Sequence, residues 1–378
     1  MHIGIDGACW ANRRGYGRFL RELLEALAAV DRDNRYTIFF DSGSYRDFHL
    51  VKRFHPVIVP TSEAVGEAAS VSGRRSLGDL LRMSLAVRRE RLDLFFFPSV
   101  YSYFPLLSRT RMVVGVHDTI AERNPRFAFS SKKHELFWRW KVKLALAQAS
   151  TVLTVSEYSR RSIIAGLKVP PSRIRVLTEA ASARFTRTAG TEKRGQYILY
   201  AGGISPNKNL STLVRAYARL RPRGVKLVLA GDYESDGFKS CYGELCGLTA
   251  ELGVAGEVVF PGFVSDQELC ELYSGAKVFV MPSFDEGFGL PAVEAMACGA
   301  PVIVAKGHAL EEVVGTAGLL VDPNDEAGLA GAIGSVLGDD ALRADLADRS
   351  LRRAAEFSWP KAARQLLTVF EETVSPAL

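Results

Sequence analysis

Two successive series of short apolar runs, each followed by a helical pattern, most restrict what this chain can fold into. The run 112–116 carries no polar side chain, which is typical of a parallel strand covered on both faces. Residues 18–30 carry apolar side chains at the spacing of a helix. The first series predicts strands at 2–6, 35–41, 56–60, 92–98, 111–117, 150–156 and 174–178.

A polar interval at 183–195 separates the first series from the second. The second series predicts strands at 197–203, 227–231, 258–262, 278–280 and 301–304. A chain of 378 residues exceeds one typical core and fits two domains. We therefore predict an α/β fold with two doubly wound parallel-sheet domains, residues 1–185 and 196–359. Ligands of such sheets bind beyond the carboxyl ends of the strands, here in a cleft between the domains.

The composition is that of a water-soluble globular protein, with 47% apolar and 24% charged residues. No apolar run reaches the roughly 18 residues that span a bilayer. The chain opens in a strand pattern, so we expect no signal peptide. The five cysteines are an odd number without metal-ligand spacing. We therefore expect reduced thiols and a cytoplasmic protein.

The charge is unevenly distributed along the chain. Residues 1–185 hold 30 Lys and Arg against 17 Asp and Glu, a net charge of +13, whereas residues 186–378 hold 18 against 25, a net charge of −7. The first half is predicted to face a membrane surface, a phosphorylated acceptor or nucleic acid. In residues 132–143 basic and aromatic side chains interleave, as at membrane interfaces, although a helix with its apolar face in the core gives the same pattern. No nucleic-acid-binding motif is recognised, so nucleic acid is not an expected partner.

The most specific pattern follows the apolar run at 278–280 and reads Phe-Asp-Glu-Gly-Phe-Gly-Leu-Pro-Ala-Val-Glu-Ala-Met-Ala-Cys-Gly. Pro291 is predicted as the first residue of a helix. Glu286 precedes this helix and Glu294 lies about one turn into it, so both carboxylates can accept hydrogen bonds from hydroxyl groups. An ordinary junction with solvated glutamates is the alternative. The backbone N–H groups at the helix start are suited to an anion; they belong to Gly287, Phe288, Gly289 and Leu290.

The whole string, Glu-x7-Glu around Gly-Phe-Gly-Leu-Pro, closely resembles the donor-site signature of family 4 retaining glycosyltransferases, which have the GT-B fold. The resemblance covers nearly the whole chain and is strongest from 197 to 306. It implies that Glu294 holds ribose hydroxyls and that Glu286 holds hydroxyls of the transferred sugar, while the backbone from Phe288 to Leu290 supports sugar and phosphates. It also implies that the last helix, about 360–378, belongs to the first domain.

The loop 202–209 follows a predicted strand and precedes a helix, and its glycines allow close backbone approach. Beside the glutamate signature, Lys208 is predicted to neutralise the diphosphate, whose negative charge grows as the glycosidic bond breaks. A capping loop with a surface lysine is the alternative. Many family members carry an arginine where this chain has Gly203. We expect a neighbouring cation, with Arg18 as the candidate, to substitute for it, or Lys208 to carry more of the charge.

Two segments of the first domain complete the expected site. The N-terminal loop with Gly15, Gly17 and Arg18 resembles the glycine loop that family members present to the phosphates and the acceptor. It lies too far beyond the first strand for a dinucleotide fingerprint. His117 and Asp118 end a strand where similar enzymes line the sugar pocket with a His-Asp pair. We predict that His117 contacts the transferred sugar; a satisfied loop histidine is the alternative. Asp118 is predicted to orient His117 or Arg18, with a role as a base as the alternative.

The resulting prediction is a retaining, metal-independent glycosyltransferase with Glu286, His117 and Lys208 as catalytic residues. By resemblance, the leaving phosphate oxygen deprotonates the acceptor, and the backbone edge formed by Gly262, Phe263 and Val264 reads the nucleobase. We expect no cofactor. We see no Asp-x-Asp strand end of the kind that holds a metal in other glycosyltransferases.

The expected donor is a nucleotide diphosphate sugar, with GDP-mannose as the first choice and UDP and dTDP sugars as the others. The expected acceptor is a hydroxyl of a glycan or lipid-linked molecule in surface polysaccharide synthesis. Through its basic first domain the protein is predicted to contact the inner face of the membrane peripherally. A nucleotide-sugar epimerase of the same fold and a non-catalytic sugar-nucleotide-binding or scaffold protein remain as alternatives.

Overall fold

The computed structural model describes residues 1–12, 15–62, 76–129, 131–188, 195–233 and 240–375. The chain divides into two compact units, each with its own sheet. Unit 1 consists of Met1–Glu179 and Trp359–Leu378, and unit 2 of Ala180–Ser358. Unit 1 therefore ends at Glu179 instead of the predicted 185. Residues 189–194 of the predicted interval between the domains lie outside the described residues.

The described part of unit 1 is built around seven parallel strands, whose bounds follow the apolar runs of the first series. They are β1 (His2–Asp6), β2 (Arg35–Asp41), β3 (Phe54–Val59), β4 (Leu94–Phe97), β5 (Arg111–Gly115), β6 (Thr151–Thr154) and β7 (Ile174–Val176). The order across the sheet is β3-β2-β1-β4-β5-β6-β7. The helices between them are α1 (Gly15–Val30), α2 (Leu77–Arg89), α3 (Ile120–Arg123), α4 (Pro125–Ala128), α5 (Lys132–Gln148) and α6 (Glu157–Leu167).

Unit 2 is a second doubly wound sheet, with six parallel strands among its described residues. They are β8 (Tyr197–Ala201), β9 (Lys226–Ala230), β10 (Val258–Gly262), β11 (Val278–Met281), β12 (Val302–Ala305) and β13 (Leu319–Val321). The order across the sheet is β10-β9-β8-β11-β12-β13. Its helices are α7 (Leu210–Leu220), α8 (Tyr242–Glu251), α9 (Asp266–Gly275), α10 (Leu290–Ala297), α11 (Ala309–Val314), α12 (Glu326–Gly338) and α13 (Asp340–Ala354).

The last helix, α14 (Trp359–Val374), returns to unit 1. Pro360 is its second residue, where a missing N–H costs no helical hydrogen bond. The ring of Trp359 lies 5.8 Å from that of Phe19 on α1, and the ring of Phe370 lies 5.6 Å from that of Phe96 on β4. The C-terminal helix is therefore part of the core of unit 1.

Each of the twelve predicted strands overlaps a strand of the structure. The prediction missed β13, because a run of three residues shows no measurable period. Several predicted strands extend too far at their carboxyl ends, as at 111–117, where the apolar run continues into the loop beyond β5.

The order of the strands creates a switch point in each unit. In unit 2 the chain moves outward from β8 to β9 and β10 and then returns to β11 on the other side of β8. In unit 1 the same reversal occurs between β1 and β4. Loops diverge at the carboxyl ends of the strands at such a point, which leaves room for a ligand.

Candidate active site

The helix α10 begins directly after the loop that follows β11. Its cap, Gly289, has φ 99°, and a Cβ at this position would lie 2.1 Å from Cδ2 of Leu310. Pro291 is the second residue of the helix instead of the predicted first. Glu294 lies one turn further, is 3% exposed, and accepts a hydrogen bond from Oη of Tyr273 at 3.2 Å. The helix thus carries a buried carboxylate that Tyr273 holds in place.

The four residues predicted to offer N–H groups to an anion surround the start of α10. Gly287 and Phe288 lie in the preceding loop, and Leu290 is the first helical residue. The side chains of Phe288 and Leu290 are buried, and the ring of Phe288 packs edge-on against Phe357 with centroids 5.7 Å apart. The first N–H groups of a helix have no acceptor within that helix. The backbone at the start of α10, which is the predicted anion site, is therefore held in place by the packing of its side chains.

The loop after β8 carries Lys208 and is tied to the loop after β11. The N–H of Phe284 donates to the carbonyl of Asn207 at 2.9 Å. The side-chain amide of Asn209 donates to the carbonyl of Pro282 at 3.0 Å. These two hydrogen bonds join the loops that flank the switch point of unit 2.

Lys208 and Glu286 form an ion pair at this switch point. Nζ of Lys208 lies 2.6 Å from Oε1 of Glu286, and the two side chains are 18% and 9% exposed. Desolvating two charges offsets most of their attraction, so a buried pair is weak evidence for stability. Stability alone therefore does not explain the pair, and the binding roles of Lys208 and Glu286 stay predictions.

Tyr200 supports the loop that precedes Lys208. Its Oη donates to the carbonyl of Gly203 at 2.9 Å. Burial, followed by the negative charge of Glu286, raises the pKa of Tyr200 well above its ordinary value. Tyr200 is therefore a neutral donor that fixes Gly203, a predicted donor-binding residue.

The residues predicted to read the nucleobase follow one another at the end of β10. Gly262 has φ 77°, and its carbonyl accepts a hydrogen bond from Gly231 at 3.0 Å. Phe263 is 57% exposed and Val264 is partly exposed. This backbone edge lies on the same sheet as the Lys208 loop, at the carboxyl end of β10.

Three other predicted donor-binding residues lie on the first turn of α1 in unit 1. Gly15 is exposed, and a Cβ there would meet nothing within 4 Å. Gly17 is buried, and a Cβ there would lie 1.8 Å from the carbonyl oxygen of Asn12, so only glycine fits. Arg18 is partly exposed. The proposed role of Arg18 as the substitute cation stays a prediction.

His117, the predicted sugar contact, lies just beyond β5 and is 8% exposed. Its Nε2 is 2.9 Å from the carbonyl of Pro98, and its Nδ1 is 3.3 Å from Oε1 of Glu179. The rings of Tyr16 and Phe19 meet it edge-on, with centroids 5.0 Å and 4.6 Å away. Each ring nitrogen therefore has an oxygen partner. The imidazole is thereby held in one orientation.

Asp118 is predicted to orient His117 or Arg18, and for His117 this prediction is wrong. Oδ1 of Asp118 accepts the N–H of Ile120 at 2.9 Å, and Oδ2 accepts the hydroxyl of Tyr16 at 3.3 Å. Burial, followed by the charge of Asp118, raises the pKa of Tyr16 well above its ordinary value, so Tyr16 stays a neutral donor. Asp118 thus fixes Tyr16, whereas Glu179 holds the imidazole.

Comparison with known proteins places the chain in a family. The family model described as Glycosyltransferase Family 4 matches residues 13–179, and the one described as Glycosyl transferases group 1 matches residues 183–353. O-antigen chain mannosyltransferase B of Escherichia coli is 30% identical over 387 residues, which cover 94% of this chain and 96% of that protein. The chain belongs to glycosyltransferase family 4.

Solved structures share the fold of this family 4 glycosyltransferase. Sucrose-phosphate synthase from Thermosynechococcus elongatus matches it with a TM-score of 0.77 at 20% identity, over 98% of each chain. HepE of Anabaena, in complex with UDP and glucose, matches with a TM-score of 0.75 at 20% identity, over 98% of this chain and 100% of that one. The predicted GT-B fold of two Rossmann-like units is confirmed.

Glu179 is a candidate positioning residue that the sequence analysis missed. It follows β7 without any motif, and its only signal is an acidic residue just past a strand end. We expect Glu179→Gln to lower the kcat of the glycosyltransferase about tenfold, because a hydrogen bond to a charged group contributes roughly 1.5–3 kcal/mol. The KM for the donor should change less than kcat, since Glu179 acts through the imidazole. Steady-state kinetics and the melting temperature are the measurements.

Glu372→Gln is the matched control for Glu179→Gln. Glu372 pairs with Arg175 in the same unit at 2.9 Å, but it is half exposed. It should leave kcat unchanged. A Glu179→Gln protein with a lowered melting temperature and an unchanged kcat would show a purely structural role.

Proposed function

We propose that the enzyme transfers mannose from GDP-mannose to a hydroxyl of a glycan or lipid-linked acceptor in surface polysaccharide synthesis. The ion pair of Lys208 and Glu286 at the switch point, with Glu294 on α10, is the observation that carries this proposal. The choice of mannose is supported by the likeness to the Escherichia coli mannosyltransferase over nearly the whole chain. UDP-glucose is the next donor to test, because HepE is seen with UDP and glucose.

The three residues have separate roles in this proposal. Glu294 accepts hydrogen bonds from the ribose hydroxyls, and Glu286 accepts them from hydroxyls of the transferred sugar. Lys208 neutralises the charge that grows on the diphosphate, so it stabilises the transition state more than the bound substrate. When the donor binds, the ammonium group of Lys208 contacts the diphosphate. The carboxylate of Glu286 then accepts hydrogen bonds from both Lys208 and the sugar.

The proposed reaction retains the configuration of the anomeric carbon. The bond from that carbon to the phosphate oxygen breaks, and the bond to the acceptor oxygen forms on the same face of the sugar. The acceptor proton passes to the leaving phosphate oxygen. The protein then needs no nucleophile and acid pair of the kind that glycosidases place about the bond.

We also propose that turnover needs no metal ion, since Lys208 supplies the positive charge at the diphosphate. In the described ranges, no group of three or more His, Cys, Asp and Glu residues is arranged to hold a metal. Turnover in excess EDTA should equal turnover in MgCl₂. A loss of more than about tenfold on chelation, restored by a divalent cation, would contradict this part of the proposal.

The test of the proposed function is release of GDP from GDP-mannose with and without a lipid-linked glycan acceptor. Release that depends on the acceptor, with mannose found on it, supports the transferase. Conversion of the sugar nucleotide without acceptor would favour an epimerase, and tight binding without turnover would favour a binding protein. Parallel assays with UDP-glucose and dTDP sugars identify the donor.

We further propose a cytoplasmic protein that contacts the inner face of the membrane peripherally. The excess of basic residues in the first half of the chain supports this placement, because anionic lipids attract such surfaces. A lipid-linked acceptor would be met at that face.

A further inference from the structure

The helix α5 (Lys132–Gln148) is apolar on two opposite faces. One face packs into unit 1 through the buried residues Trp138, Val142, Ala145 and Leu146. The opposite face exposes four large apolar side chains: Leu136 is 59% exposed, Phe137 57%, Trp140 56% and Leu144 49%. A surface helix normally turns polar residues outward, and a helix that is apolar all round is normally buried. The outer face of α5 is therefore a candidate binding surface.

The four exposed residues form one continuous patch. Leu136, Trp140 and Leu144 follow one another at intervals of four residues, so they lie along one line of the helix, and Phe137 lies beside that line. Scattered exposed apolar residues need no explanation, but contiguous ones mark a binding surface. We call this patch the outer face of α5.

Basic side chains surround the outer face. The helix carries five basic residues, Lys132, Lys133, Arg139, Lys141 and Lys143, and one acidic residue, Glu135, which leaves a net charge of +4. Glu135 is already paired with Arg139 at 2.7 Å. Lys141 lies toward the buried side, where its ammonium donates to the carbonyl of Tyr101 and lies 5.8 Å from the ring of Trp138. Nζ of Lys143 lies 5.4 Å from the ring of Trp140, so its apolar stem lies along the indole while the ammonium reaches out. Tryptophan and lysine side by side are typical of the layer where lipid headgroups meet acyl chains.

We propose that the outer face of α5 inserts into the headgroup layer of an anionic lipid bilayer. The apolar patch would enter the boundary of the acyl chains, and Lys132, Lys133 and Lys143 would contact lipid phosphates. Because the opposite face of α5 is packed into unit 1, the helix would lie along the surface of the bilayer. In the part of the chain that the structure describes, no helix is both long and apolar enough to cross a bilayer. The inference gives a location to the proposed membrane contact and is independent of the proposed donor and acceptor.

A second copy of this chain is a less suitable occupant. A twofold dimer would place the outer face against itself, and each helix would then oppose an identical one with a charge of +4. Like charges across an interface oppose association, whereas anionic lipids complement them. The charge therefore favours the bilayer.

The test is sedimentation of the full chain with vesicles of phosphatidylcholine alone, or with about three-tenths phosphatidylglycerol. We expect binding to the anionic vesicles that is about tenfold tighter than to the neutral ones and weakens with salt. The triple variant Leu136→Gln, Phe137→Gln, Trp140→Gln should lose at least about tenfold of this binding. Its melting temperature should stay unchanged, because these side chains are exposed in the folded chain.

The matched control replaces Leu77 and Leu81 by glutamine on α2 of the same unit. These leucines are 85% and 52% exposed, but they belong to a different helix. The control should bind anionic vesicles within about twofold of the wild type. Equal losses in the control and the triple variant would overturn the assignment to α5.

Three other results would also overturn the inference. They are failure of the wild type to bind either vesicle, full binding by the triple variant, and a wild-type dimer that the triple variant abolishes without any vesicle binding. Donor affinity and sugar transfer, measured on the same samples, show whether the membrane inference or the proposed function fails. A protein that binds vesicles through α5 but transfers no sugar would keep the inference and contradict the proposed reaction.

Discussion

Replacing Lys208 by alanine is expected to reduce kcat by about 100- to 1000-fold, while the Kd for the nucleoside diphosphate rises much less. Removing one preorganised group that stabilises transition-state charge typically costs this much. Lys208 is mostly buried beside Glu286, so its charge is poorly screened by water. Donor turnover under saturating acceptor and direct titration with GDP are the two measurements.

Two further variants make the result interpretable. Lys208→Arg keeps the charge and should recover part of the rate. The recovery should be incomplete, because the planar guanidinium group of arginine fits the site differently from an ammonium group. Lys306→Ala is the control, because Lys306 belongs to the same unit but pairs with Asp322 at 3.9 Å and is 53% exposed. A Lys208→Ala protein that is folded and retains more than about a third of wild-type kcat would show that Lys208 does not act on the leaving group.

Replacing Glu294 by alanine is expected to weaken GDP binding about 10- to 100-fold. Hydrogen bonds to a charged group contribute roughly 1.5–3 kcal/mol, and 1.4 kcal/mol corresponds to a factor of ten. The wild type should also bind 2′-deoxy-GDP more weakly than GDP, since one ribose hydroxyl is missing. The Glu294→Ala protein should lose that discrimination. Calorimetric titration with both nucleotides gives the four affinities.

Glu286→Gln is the matched variant for Glu294→Ala, because Glu286 is assigned to the sugar. It should weaken GDP-mannose binding and leave GDP binding within about threefold. A Glu294→Ala protein that still prefers GDP over its 2′-deoxy analogue would show that Glu294 does not hold the ribose. Tyr273→Phe should weaken binding of GDP by less than Glu294→Ala, because Tyr273 acts only through the carboxylate.

The sequence predicts the architecture because parallel strands buried on both faces are short continuous apolar runs. It does not reveal the strand order. Lys208 and Glu286 are 78 residues apart, and they meet because β8 and β11 are neighbours in the sheet. No periodicity encodes that neighbourhood, so only the resemblance to the family predicts that Lys208 and Glu286 share a site.

Unit 1 shows where reading by pattern fails. Asp118 is adjacent to His117 in sequence, yet its oxygens accept hydrogen bonds from Ile120 and Tyr16, and the imidazole ring meets Glu179 instead. In α5 the sequence shows interleaved basic and aromatic residues. It does not show that the helix buries Trp138 while exposing Trp140, since that depends on how the helix rests on the sheet.

The switch point of unit 2 is where we propose that the nucleotide sugar binds. A crystal structure with whichever of GDP, UDP and dTDP binds most tightly is the decisive test. We expect ribose hydroxyls within hydrogen-bonding distance of Glu294 and diphosphate oxygens at Lys208 and the start of α10. A nucleotide bound elsewhere, or no saturable binding of any of the three, would contradict it.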